Sequence, residues 1–164
     1  MEPLESLIEA LRGELQQYGE MLARLDQEQE LVFRRAAGPL LEAVASIQEQ
    51  AAVLQEARAV RESCREALAV SLGLATDTAL TSMIDQLPAD YRPLLEALVR
   101  ENNQLLMRVQ QRARQNHLLL SRSVELMQRF LATLFPSRDT QVYDPQGQRS
   151  MWMAPLRPLY EAVG

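Results

Sequence analysis

The sequence predicts an all-α protein: an elongated antiparallel bundle, or coiled coil, of long helices with one short connector helix and an irregular C-terminal tail. Three observations carry this prediction. Apolar side chains recur in alternating steps of three and four over most of the chain, the spacing of one helix face. Leu, Ala, Gln, Glu and Arg dominate while aromatic residues make up only 5%, and those common residues lose little rotamer freedom in a helix. Proline and glycine mark a few positions between the periodic stretches, where helices stop and start. The implied division is a helical bundle domain over residues 1–136 and a turn-containing tail over 137–164.

The first helix carries a seam of Leu4, Ile8, Leu11, Leu15, Tyr18, Leu22, Leu25, Gln29, Val32 and Ala36, with an average repeat near 3.5 residues. Gly38-Pro39 then interrupts it, either as a full break or as a kink in a bent helix, because the residue before a proline is pushed away from helical angles. A second helix runs through Leu40, Val44, Ile47, Ala51, Leu54, Ala57, Val60, Cys64, Leu68 and Ser71 to a glycine cap at Gly73. Its seam is built from smaller residues, which bury less area. Residues 74–92 connect, with Asp77 as the expected cap of a short helix bearing Leu80, Met83, Ile84 and Leu87 across one end of the bundle.

The last helix starts near Pro93 and is the longest, with a seam of Leu95, Leu98, Asn102, Leu105, Val109, Arg112, Asn116, Leu119, Ser123, Leu126 and Phe130. Its arginines outnumber its carboxylates, whereas acidic side chains outnumber basic ones two to one over residues 1–92. Opposite signs of this kind would bias antiparallel alignment without adding much energy. Past Pro136, Asp144-Pro145-Gln146-Gly147 reads as a turn, and the prolines at 155 and 158 rule out one unbroken helix at the C-terminus.

Composition excludes several function classes. A net charge of −5 without a basic stripe argues against nucleic-acid binding. No apolar run approaches the ~20 residues that span a bilayer, and the acidic start of the sequence resembles no secretory leader or lipid anchor. One cysteine, Cys64, suits a reducing compartment, so a cytoplasmic location is expected. His117 has no partner spacing for a metal and Cys64 has no base or oxyanion motif; no enzyme, cofactor or small-molecule substrate is expected.

Recognition is the better destination for the unusual residues. Asn102 and Asn116 lie on the apolar seam two heptads apart, where an asparagine can fix register at a cost in stability. Arg112 and Ser123 share that seam and argue against a dry core along its whole length. Met127 and Phe130, and in the tail Trp152, Leu156, Leu159 and Tyr160, are the side-chain types that give adaptable binding surfaces. The tail either folds back on the bundle or grips a partner.

Asn116-His117-Leu118-Leu119-Leu120-Ser121-Arg122-Ser123, followed by Val142-Tyr143-Asp144-Pro145-Gln146-Gly147, resembles the FlgN family of bacterial flagellar export chaperones, as does the helical layout of residues 1–150. The resemblance implies a chaperone of the hook–filament junction proteins. It would bind their C-terminal helical regions and deliver them to the membrane export machinery. Asn116, Leu119, Leu120, Ser123, Tyr143 and Gly147 stand at the matching positions, and the resemblance makes Tyr143 a candidate contact for the export gate. A monomer or weak homodimer is expected. The rival reading is a structural or regulatory coiled-coil protein that works through self-association.

Overall fold

The computed structural model describes residues 2–134, and within them every regular element is helical. Four helices occur in order: α1 (Glu2–Arg34), α2 (Ala37–Ser71), α3 (Leu80–Ile84) and α4 (Arg92–Leu134). The turn expected at 144–147 and the tail lie outside the described residues. Residues 1–126 pack as one unit, and α4 continues without interruption to Leu134.

The α1–α2 junction is a complete reversal, and it falls just ahead of Gly38-Pro39. Arg35 takes the left-handed conformation (φ 56). The Arg35 amide donates to the Val32 carbonyl and the Ala36 amide to the Leu31 carbonyl, both at 3.1 Å. This is a Schellman closure with arginine where glycine is usual. Pro39 then sits in the first turn of α2, where its missing N–H leaves no bond unmade. At the other end of α2 the same closure recurs with the expected residue: Gly73 has φ 71, and the Leu74 amide reaches the Ala69 carbonyl at 2.9 Å.

Side-chain bonds set the direction of each helix. Gln50 of α2 donates to the Gln17 side chain at 2.8 Å, Arg24 donates to Ser46 at 3.0 Å, and Arg61 reaches Glu14 at 2.8 Å, so α1 and α2 run antiparallel. Asn102 and Asn116 of α4 reach the carbonyls of Leu11 and Leu25, in both cases 91 residues away in sequence. A constant offset means that α4 runs parallel to α1, and the antiparallel relation belongs to α2 with each of its neighbours.

Packing between two helices widens the buried stripe of α1. Beside Leu4, Ile8, Leu11, Tyr18 and Leu25, the residues Leu7, Glu14, Met21 and Glu28 are buried, while Leu15, Leu22 and Gln29 of the expected seam are only half-covered. A helix covered on two sides needs an apolar arc broader than a coiled-coil seam. Two clusters form the core. The first gathers Leu4, Leu7, Leu11, Leu68, Leu95 and Leu98 with Met83, Ile84 and Leu87 of the connector; the second holds Tyr18, Met21, Leu25, Ile47 and Val109. The connector therefore closes the end where α1 and α4 begin, as its leucine spacing predicts. Its cap differs from expectation: Ala79 occupies that place with no side-chain bond, and Asp77 does not cap the helix. The connector is instead pinned by the buried Arg65, which donates to the Thr78 carbonyl at 2.6 Å and to Glu62. That hydrogen bond, with the arginine charge, holds the half-buried Glu62 carboxyl below its ordinary range.

The middle of α2 is thinly packed. Val60, placed on the seam by its spacing, is exposed and borders a shallow groove of about 470 Å3 with Ala10, Gly13, Val53 and Ala57. Here contact with α1 is polar. Glu14 is buried, accepts from Arg61, and receives the Tyr18 hydroxyl at 3.0 Å. Burial, and then the Glu14 carboxylate, push the Tyr18 phenol up to about 12.

A candidate partner-binding face on the last helix

The seam of α4 changes character at Asn116. Before it, Leu95, Leu98, Asn102 and Val109 are buried against α1, α2 and α3. Arg112 bridges to Asp26 at 3.1 Å and hydrogen-bonds Gln29. Asn116 is 1% exposed; its amide donates to the Leu25 carbonyl at 2.7 Å and to Glu28 Oε2 at 2.8 Å. Glu28 is wholly buried, and its Oε1 has no hydrogen-bond partner among the described residues, nor has Asn116 Oδ1. Past this polar knot the packing of the pair thins.

Beyond it the apolar spacing persists while cover runs out. Leu119 and Leu120 are half-buried, and Ser123 is exposed, its hydroxyl turned back to the Leu119 carbonyl of its own helix at 2.9 Å. Leu126 is 65% exposed and Met127 and Phe130 are each 58% exposed, with Leu131 and Leu134 beside them. The cause lies in α1. By the offset of 91 residues, its last residue Arg34 comes level with Glu125, so α1 has no residues to set against the remainder of α4. Seam spacing with no covering helix among the described residues leaves large apolar groups exposed, an arrangement common at interaction surfaces.

Of the residues the sequence proposes for partner binding, the structure therefore separates Asn116, held inside the bundle, from Leu119, Leu120, Ser123, Met127 and Phe130, which share the open stretch of one helix. Tyr143, Trp152, Leu156, Leu159 and Tyr160 lie outside the described residues. Leu126, Leu131 and Leu134 belong to the same surface and were missed as site residues, although their four-residue spacing from Met127 or Phe130 carries the signal. Glu28 was missed for another reason: nothing in a charged helix distinguishes a glutamate facing a buried asparagine from its solvated neighbours.

Among the described residues there is no group of three or more His, Cys, Asp or Glu placed to hold a metal, and no helix is long and apolar enough to cross a membrane. Cys64 is half-buried against the first core cluster. What the face offers is a helical apolar surface, suited to receiving another helix.

No curated protein and no solved structure matches the chain. A family does: residues 1–150 match FlgN, described as FlgN protein. With nearly the whole length covered, the chain belongs to the FlgN family of flagellar export chaperones.

Proposed function

We propose that this protein is the export chaperone of flagellar hook–filament junction proteins. It holds their C-terminal helical regions on the open face of α4 and delivers them to the membrane export machinery from the cytoplasm. The observation that carries the reading is the loss of cover past the end of α1, where Leu126, Met127 and Phe130 continue the seam of the half-buried Leu119 with nothing from α1 upon them. A client helix laid along this stretch would take the place α1 vacates, gaining its energy from apolar burial. Trp152, Leu156, Leu159 and Tyr160 supply large side chains that would close over the client, and Tyr143 would contact the export gate. Hand-over requires release, and an open, two-sided contact of this kind favours moderate affinity over a permanent complex.

Co-expression with each junction protein followed by size exclusion tests the reading. The expected result is co-elution of a complex with wild-type chain and its loss for Leu126→Ser/Phe130→Ser, a variant that leaves the core untouched. Co-elution of none of the junction proteins, together with a concentration-dependent homodimer, would favour the self-association reading instead.

A further inference from the structure

The open face is bordered by different chemistry on its two edges. Along one edge, Leu120 and Met127 each follow a seam residue and extend the apolar surface. Along the other, Arg122 and Arg129 stand seven residues apart, each just before a seam residue, Ser123 or Phe130, with Glu125 between them before Leu126, so the edge keeps a net positive charge of one. Both arginines are exposed. Arg112, in the packed part of α4, is paired with Asp26, whereas Arg122 and Arg129 form no ion pair among the described residues. Arg35, exposed where α1 ends, adds positive charge at the level where the face begins. Flanking charges of this placement set partner choice in helix pairing, because like charges there repel and opposite ones align.

We propose that the occupant of this face is an amphipathic helix whose apolar stripe is edged by carboxylates, selected by Arg122 and Arg129. The proposal rests on the carrier reading above and adds the chemistry that distinguishes a client from any other apolar helix. It disfavours the chain's own tail, because its apolar part, residues 151–160, contains Arg157 and two prolines and is followed by a single carboxylate, Glu161. A second copy is left as an outcome of the test, because the acidic stripe of α2, Glu42, Glu49 and Glu56, runs beside the exposed Val53 and Val60 as well as beside the small Ala45 and Ala52.

The test is titration of full-length chain with labelled peptides from the C-terminal helical regions of the junction proteins, each made with its native carboxylates and with those replaced by amides. At low salt, Arg122→Glu/Arg129→Glu should weaken binding of the native peptide by about tenfold, and amide replacement should weaken binding to wild type by a similar factor. The charge-reversed variant should bind native and amide peptides with no preference for the native one. Undiminished binding by Arg122→Glu/Arg129→Glu, alongside failure of Leu126→Ser/Phe130→Ser, would overturn the charge selection and leave the carrier reading standing. Undiminished binding by both variants would overturn both. Self-association in sedimentation runs without peptide, abolished by Arg122→Glu/Arg129→Glu, would assign the face to a second copy and overturn the proposal as well.

Discussion

Asn102 and Asn116 look interchangeable in the sequence, and their surroundings make them opposites. Asn102 donates to the Leu11 and Leu98 carbonyls at 3.1 and 3.0 Å while its own oxygen finds no partner among the described residues. Both carbonyls lie inside helices and keep their intrahelical bonds without it, so Asn102→Leu removes a buried orphan at little loss. The expected outcome in urea unfolding is a gain of about 1 kcal/mol. Asn116 is the one hydrogen-bond donor to the buried Glu28 among the described residues. Its replacement by leucine strands that carboxyl, and a loss of about 2 kcal/mol or more is expected. Glu28→Leu/Asn116→Leu should recover most of that loss, since removing both partners leaves nothing unsatisfied. Seam spacing placed both asparagines correctly; it could not say which faced a carboxylate, because that depends on α1 lying parallel to α4 and on the 91-residue offset.

Tyr18 supplies a pH signature that few proteins would show so cleanly. The chain has no lysine, every Lys+Arg side chain being arginine, so above pH 10 its tyrosines are the side chains left to titrate before arginine. The Tyr18 phenol is raised from 10.0 to about 12 in the folded state, by burial first and by the Glu14 charge second. The folded state therefore resists its ionisation. Stability from this group is complete below pH 10 and is lost as pH rises from 10 towards 12. A loss of about 1 kcal/mol between pH 10 and 11 is expected in wild type, and Tyr18→Phe should flatten that stretch of the stability–pH curve.

At the scale of elements, four helices were legible in order from spacing and from proline and glycine. The α1–α2 boundary is displaced because the reversal uses an arginine. Left-handed backbone costs a non-glycine residue about 1 kcal/mol, and no local pattern announces a site where tertiary packing imposes it. Helix α2 must return antiparallel to bring Ile47 beside Tyr18 and Leu68 beside Leu7, and the short closure at Arg35 accomplishes this. Arg35→Gly should relieve the strain and raise the free energy of unfolding by about 0.5–1 kcal/mol. A loss of stability would mean that the arginine side chain contributes more than its backbone costs. Equally hidden was the direction of α4. Its excess of positive charge suits either orientation beside acidic α1 and α2, and only the paired asparagine bonds and Arg112–Asp26 fix it.

For the molecule as a whole, the sequence pattern already contained the unfinished seam: Ser123 and Arg112 signalled that one dry core could not run the length of α4. Where cover would stop was not legible, since it depends on α1 ending level with Glu125. The central claim is that α4 beyond Glu125 has no tertiary support among the described residues, and that the proposed client would provide it. Amide hydrogen exchange along α4, read with and without a bound junction protein, tests this most directly, because an isolated helical stretch opens far more readily than a packed one. The account predicts slow exchange over residues 95–116 in both states, and rapid exchange over 126–134 that becomes slow in the complex. Equal protection of both stretches in the free protein, or no change over 126–134 when the client binds, would contradict it.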